Sequence, residues 1–235
     1  MTTIGIYGGG RMAEAVFSRA SAFPEYQVSA IISRTPVTWA GTVPHYDSPD
    51  RLESGLDVLI DFSLPDGTLA AAQWCAKTGT ALLSGTTGLA AEHLGAIEEA
   101  AVSTAVLSSA NLSTGIALVR HLAEELSRMS GEHVDVHIED THHVHKKDAP
   151  SGTALMLGGA ITAIRGQDEI KYSSHREGEE IGRHVVRFSM PGEDVEIIHQ
   201  AHKRSIYALG ALNVAGWLAS QGPGMYDLRN FLESR

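Results

Sequence analysis

The chain has 235 residues, 43% of them hydrophobic, which suits one large or two small domains with a buried core. Its formal net charge of −10 argues against a nucleic-acid or acidic-membrane partner. The single cysteine, Cys75, excludes an intramolecular disulfide; it lies in the helical stretch 70–77 and reads as a buried small hydrophobe rather than a nucleophile. The N-terminus has no basic region and the chain has no apolar run long enough to span a bilayer, so the cytoplasm is the expected compartment.

In chain order, residues 3–7 read as a short buried strand, Gly8-Gly9-Gly10-Arg11-Met12-Ala13 as a turn, and residues 14–20 as a helix. Gly8, Gly10 and Ala13 fit the Gly-x-Gly-x-x-Ala fingerprint of a dinucleotide-binding unit. There the first glycine makes the turn, the second lets backbone approach a pyrophosphate, and the third small residue packs helix on strand. The fingerprint alone is weak, but the strands and helix around it stand where the motif requires them. The second strand, 27–33, ends in Ser33-Arg34-Thr35 with no carboxylate to repel a 2′-phosphate. Ser33 can donate and Arg34 can pair with phosphate, which favours NADPH over NADH. If Arg34 only stacks on adenine, both nucleotides are usable.

Further strand–helix units follow: strand 57–62, a helix from Pro65 to about Lys77, strand 81–84, helix 91–101 and strand 105–108. Such alternation means a parallel sheet with ligands beyond the carboxyl ends of the strands. The expected cofactor rim is therefore Gly8, Gly9, Gly10 with Arg11 and Met12, then Phe62, then Gly85, Thr86 and Thr87, then Ser109, Ala110, Asn111 and Leu112.

From residue 113 to 130 the pattern is one amphipathic helix, followed by a strand at 134–138. The run His142-His143-Val144-His145-Lys146-Lys147-Asp148-Ala149-Pro150-Ser151-Gly152-Thr153-Ala154 then forms a strand-to-helix loop. Ser151 is a good N-cap, and the first-turn amides of Gly152 and Thr153 with the helix dipole favour a carboxylate or phosphate. Lys146 adds a full positive charge. The lysines among the histidines argue against zinc, so no resident metal is expected. Residues 167–183 read as a long polar loop, 185–190 and 195–200 as strands around Pro191-Gly192, 205–218 as a helix, and 225–232 as a short helical tail. The fold class is α/β, a Rossmann-type domain with a second α+β domain carrying an open mixed sheet, whose edge favours oligomerisation.

These residues resemble the 4-hydroxy-tetrahydrodipicolinate (dihydrodipicolinate) reductase family over essentially the whole chain. The motifs are Gly10-Arg11-Met12, Asp61-Phe62-Ser63, Gly85-Thr86-Thr87-Gly88, Asn111-Leu112-Ser113 and, above all, the run from His142 to Ala154. The resemblance implies hydride transfer from NAD(P)H to a small cyclic dicarboxylate in diaminopimelate and lysine biosynthesis. It implies His142 and Lys146 as proton donor and partner, and His143, Lys146, Ser151, Gly152 and Thr153 as substrate ligands. It also implies a homotetramer, a dinucleotide domain of residues 1–112 completed by 205–235, a substrate domain of 113–204, and hinges near 112–114 and 203–205. The chain departs from the family pattern in having Ala13 for glycine in a glycine loop shorter by one, Leu112 for a common aromatic, a shortened segment around 167–183, and His137 and Asp140 for glutamates. The competing readings are a relative acting on another substrate and a nucleotide sensor without chemistry.

Overall fold

The computed structural model describes residues 1–52, 55–131, 133–166 and 170–235. It divides into two compact units: residues 1–113 with 207–235, and residues 114–206.

The first unit is built on β1 (Thr2–Tyr7), β2 (Tyr26–Ile32), β3 (His45–Tyr46), β4 (Val58–Asp61), β5 (Ala81–Ser84), β6 (Ala105–Ser108) and β11 (Gly224–Tyr226). Among the described residues these form one sheet of order β11-β6-β5-β4-β1-β2-β3, and every pair is parallel. The connecting helices are α1 (Arg11–Ala20), α2 (Pro65–Thr78) and α3 (Ala91–Ala101), and α6 (Ser205–Ala219) and α7 (Leu228–Glu233) close the chain. The strands are continuous apolar runs; Ile4, Ile6, Ile31, Ile60, Leu82 and Leu107 are wholly buried, as in a parallel sheet covered on both faces. α1 buries Ala13, Val16 and Ala20, one stripe at helical spacing. α2 has Pro65 in its first turn and ends on Gly79, whose φ of 74° is the left-handed cap that glycine favours. The strand order reverses between β1 and β4, and ligands of such sheets bind beyond the strand ends at that point.

α6 is apolar almost all round and is buried through Ala208, Ala211, Leu212, Val214, Ala215 and Leu218. Tyr26 Oη donates to Leu212 O at 2.6 Å and accepts from Gly216 N at 3.1 Å, which bolts β2 to this helix. A Cβ at Gly210 would stand 1.8 Å from Leu112 O, so glycine is required there.

In the second unit, β7 (Asp135–His142), β8 (Lys171–Arg176), β9 (Arg183–Met190) and β10 (Glu193–Gln200) form a mixed sheet of order β10-β9-β7-β8. β7 and β8 run parallel and the other pairs antiparallel. α4 (Thr114–Met129) and α5 (Gly152–Arg165) pack on one face, with Val119, Ala123, Leu157 and Ile161 against Val136, Ile138, Val186 and Phe188.

Three sequence expectations need correction. Residues 171–176 are a strand, not loop: the side chains of Tyr172, Ser174 and Arg176 that share a face are mostly polar, so no apolar alternation announces the strand. Residues 167–169 of that expected loop lie outside the described residues. The tail opens with a strand, Gly224–Tyr226, before α7. The strand before the histidine run reaches His142, so that residue stands on the sheet rather than in the loop. The chain passes between units at Ser113/Thr114 and Ile206/Tyr207.

Gly210→Ala is expected to destabilise the protein by roughly 2–4 kcal/mol, because backbone must move to admit the methyl group. Gly95→Ala, at an exposed position of α3 with nothing within 4 Å of the added carbon, is expected to stabilise by up to about 1 kcal/mol. Urea unfolding of the two variants checks both; similar midpoints would contradict the close approach at Gly210.

Candidate active site

The first unit carries a nucleotide-shaped edge. Gly8 has φ 136°, and a Cβ there would stand 2.6 Å from Phe62 O, so the turn after β1 demands glycine. Gly10 is the N-cap of α1 and, lacking a side chain, leaves the amides of the first turn without a side-chain acceptor. Arg11 is exposed and Met12 half-buried at that helix start. A cavity of about 470 Å³ is lined by Tyr7, Gly8, Gly9, Gly10, Ser33, Arg34, Thr35 and Phe62, among others. Bare amides at a helix start beside an open cavity suit a pyrophosphate, so these residues fit a dinucleotide.

Ser33 is placed differently from expectation. It is buried, its hydroxyl donates to Thr35 O at 2.7 Å, and His45 Nε2 lies 3.0 Å from it. Ser33 thus braces the loop, and the exposed Arg34 is the group at that strand end able to meet a phosphate. Arg34 also lines a neighbouring cavity of about 560 Å³ with Asp47, Ser48, Asp50 and Arg51.

The rest of the rim hangs on Asp61, which is wholly buried at the end of β4. Its carboxylate accepts from Ser63 N (2.9 Å), Ser63 Oγ (2.5 Å), Thr68 Oγ1 (2.6 Å), Ser84 Oγ (2.7 Å) and Thr86 Oγ1 (3.1 Å). One carboxylate therefore fixes the loops after β4 and β5 and the start of α2. The Phe62 ring lies over Gly85, where a Cβ would come within 2.3 Å of it. Thr86 is buried and Thr87 exposed. After β6, Ser109 Oγ donates to Asn111 O at 2.9 Å, and Asn111 Oδ1 accepts from Ser113 N at 2.9 Å. Ala110 faces outward, whereas the Leu112 side chain is buried and its carbonyl lies against α6.

The second unit carries the chemistry-bearing set. Along β7 the buried positions alternate as Val136, Ile138, Asp140 and His142. The first two join the apolar core and the last two are polar, so one face of the strand changes character towards its end. Register sets Ser174, Asp140, His184 and His199 in one row across β8, β7, β9 and β10. Asp140 accepts from His142 Nδ1 (3.0 Å), Ser151 N (2.9 Å), Ser174 Oγ (2.9 Å) and Arg176 Nη1 (2.9 Å). Burial raises the Asp140 pKa, but the Ser151 amide and the Ser174, Arg176 and His142 side chains outweigh it and hold the group below the usual carboxylate range. His142 is buried, and burial pushes its imidazole below the ordinary value, with Asp140 pulling the other way and Lys146 and Arg176 adding to the fall. Gly182 leaves room for the ring: a Cβ there would stand 3.2 Å from His142 Nε2.

Lys146 is partly buried and its ammonium meets Asp148 at 2.8 Å. Arg176 clamps the loop by donating to Lys146 O (3.3 Å) and, more closely, to Asp148 O. Ser151 is the N-cap of α5, its Oγ accepting from Ala154 N at 3.2 Å, and the Ala149–Pro150 bond before it is cis. Gly152 is exposed, with nothing within 4 Å of its missing Cβ, and its amide hydrogen-bonds to Asp148, the same carboxylate that holds Lys146. Thr153 and His143 are half-buried.

Asp140 thus orients the His142 ring through Nδ1. His137 lies on the opposite face with Ser173 Oγ at 2.9 Å, and does not touch His142. The sequence reasoning missed Arg176 and Ser174, hidden in the presumed loop, and His184. Their signal was the two-residue spacing of Tyr172, Ser174 and Arg176. Among the described residues no group of three or more His, Cys, Asp or Glu side chains is arranged to hold a metal ion, and no helix is long and apolar enough to cross a membrane.

Comparison with known proteins finds matches to both units. The family model for the N-terminus of dihydrodipicolinate reductase matches residues 2–112, and that for its C-terminus matches residues 115–232. The 4-hydroxy-tetrahydrodipicolinate reductase of Halorhodospira halophila is 36% identical over 261 residues, covering 97% of this chain and 98% of that protein. That of Stenotrophomonas maltophilia is 39% identical over 229 residues, covering 95% and 94%. Among solved structures, a dipicolinate-bound dihydrodipicolinate reductase from Paenisporosarcina sp. TG-14 shares the fold, with a TM-score of 0.82 at 19% identity over 97% of each chain. An aspartate dehydrogenase from Thermotoga maritima shares it more loosely, with a TM-score of 0.57 at 12% identity over 91% of this chain and 95% of that one. Matched from end to end by both family models and by full-length relatives, the chain belongs to the dihydrodipicolinate reductase family.

Proposed function

We propose that this protein reduces 4-hydroxy-tetrahydrodipicolinate (dihydrodipicolinate) to tetrahydrodipicolinate with NAD(P)H, the reductive step of diaminopimelate and lysine biosynthesis. The observation that carries the reading is the Asp140–His142 pair held beside Lys146 and the open N-terminus of α5. It joins a proton source to carboxylate-binding groups, which a nucleotide sensor would not need. The work is divided between the units, the first holding the nucleotide and the second the dicarboxylate and its proton.

The 4-hydroxyl would leave as water together with a proton from the neighbouring ring carbon, and a bound nicotinamide would then supply a hydride to the unsaturated ring. Negative charge then builds on the ring and needs a positioned acid. Asp140 takes the His142 Nδ1 proton in a hydrogen bond, so Nε2 is the nitrogen that presents the transferable proton. Lys146, Ser151 and the amides of Gly152 and Thr153 receive the carboxylates, with His143 beside them, and the incoming carboxylate takes Lys146 and the Gly152 amide over from Asp148. In the first unit the glycine loop takes the pyrophosphate through Gly8, Gly9, Gly10, Arg11 and Met12. The Asp61-braced loops at Phe62, Gly85, Thr86 and Thr87, with the loop from Ser109 to Leu112, line the nucleotide's other end.

NADPH is the preferred nucleotide and NADH is usable, because Arg34 is exposed at the end of β2 with no carboxylate in Ser33-Arg34-Thr35. The open face of the second sheet, with Glu139, Arg183, Arg187 and Glu196 paired across it, supports assembly as a homotetramer. The proposed compartment is the cytoplasm, where soluble acids and nicotinamide nucleotides meet.

Nicotinamide absorbance, followed with freshly condensed pyruvate and aspartate semialdehyde, tests the function. Oxidation should require the condensation product, and His142→Ala should lower kcat by about 10²- to 10⁴-fold while nucleotide binding stays intact. Full activity in that variant, or oxidation that ignores the condensation product, would refute the assignment. Arg34→Ala should raise the KM for NADPH roughly ten-fold or more and leave that for NADH nearly unchanged. Equal changes for both nucleotides would show that Arg34 does not read the 2′-phosphate.

A further inference from the structure

His184 lies directly opposite Asp140 on β9 and on the same face of the sheet. It is 3% exposed. Its ring meets that of His142 edge-on, with centroids 5.1 Å apart and planes at 76°. Its Nε2 stands 3.4 Å from Ser151 Oγ, whereas its Nδ1 is buried with no hydrogen-bond partner among the described residues. The titratable groups facing it are His142 and Asp140 on β7, His199 on β10 and Lys146 of the loop. Burial pushes the His184 imidazole down to about 3, and His142, His199 and Lys146 act in the same direction against Asp140. The ring is therefore neutral near pH 7, with one N–H and one lone pair.

Which nitrogen holds the proton follows from the surroundings. A buried N–H without an acceptor is rarer and costlier than an unfilled lone pair. Nδ1 has no acceptor, so the proton belongs on Nε2, which donates to Ser151 Oγ. That oxygen also accepts the Ala154 amide at 3.2 Å. A serine hydroxyl has two lone pairs and one proton, so both lone pairs are filled from within the protein. The hydroxyl is left able only to donate.

We propose that His184 is a positioning residue that makes the Ser151 hydroxyl an obligate donor towards a carboxylate of the substrate. The substrate's identity rests on the functional reading above; the tautomer of His184 does not. The arrangement gives a preference for an acceptor-only group at this subsite. A carboxylate fits it, and a neutral amide presenting its NH₂ would leave two donors facing each other.

Two measurements on the full-length protein test this. In ¹H–¹⁵N spectra of ¹⁵N-histidine-labelled protein, assigned with His184→Phe, His184 should stay neutral with its proton on Nε2 from about pH 5 to about pH 9. A proton on Nδ1, or an imidazolium forming in that range, would overturn the proposal. In binding titrations with dipicolinate, His184→Phe should weaken affinity roughly 10-fold, His184→Gln should recover part of the loss through its amide N–H, and nucleotide affinity should not change. Adding His184→Phe to Ser151→Ala should cost nothing more. Equal losses in the Phe and Gln variants, or additive losses in the double variant, would show a merely structural role. A wild-type protein that turns over no cyclic dicarboxylate would sink the functional reading instead, and the spectra decide the tautomer regardless.

Discussion

The buried carboxylate of Asp140 is the constraint on which the second unit's site depends. An ion taken out of water costs several kcal/mol, so a wholly buried carboxylate persists only where donors surround it. Here four donors come from three separate pieces of chain: His142 at the end of its own strand, Ser174 and Arg176 on the neighbouring strand, and the amide of Ser151 at the head of α5. Satisfying one charge fixes both the His142 imidazole and the N-terminus of α5. Arg176 extends the effect by reaching on to the carbonyls of the lysine-bearing loop. The geometry of the reaction is thus set by an electrostatic requirement that exists before any substrate arrives.

Asp61 plays the corresponding part in the first unit. It too is wholly buried at the carboxyl end of a strand, and it is satisfied by side chains from loops that no apolar packing could hold so tightly. In both units a buried acid converts exposed loops into fixed surfaces. The costs differ in kind: Asp61 is met mostly by hydroxyls, Asp140 by an arginine, an imidazole and an amide as well. Hydrogen bonds to a charged group contribute about 1.5–3 kcal/mol each, enough to offset the burial when several converge.

The first unit was legible in the sequence because its strands are short apolar runs and its loops carry glycine where a side chain cannot fit, as at Gly8 against Phe62 O. Strand 81–84 and helix 91–101 follow from pattern alone. The two-residue β3 and three-residue β11 are too short to show a period. In the second unit the histidine run pointed to the site, but half of its supports were hidden. β8 turns Ser174 and Arg176 inward to meet Asp140, so the strand that builds the site lacks the alternation by which a strand is recognised. The Ser33 hydroxyl is engaged by Thr35 O, a local bond that residue type does not reveal.

The central claim is that Asp140 holds up the proton affinity of His142 against burial, and the pH dependence of kcat/KM tests it most directly. Activity that requires the protonated imidazole is full at low pH and is lost as the pH rises through the free enzyme's His142 pKa, which burial places below about 6.5. Asp140→Asn removes the charge that pulls this value up, so the falling limb should move to lower pH in a variant that still binds nucleotide. A limb that stays where it is in the wild type would show that the carboxylate does not govern the proton and would contradict the account.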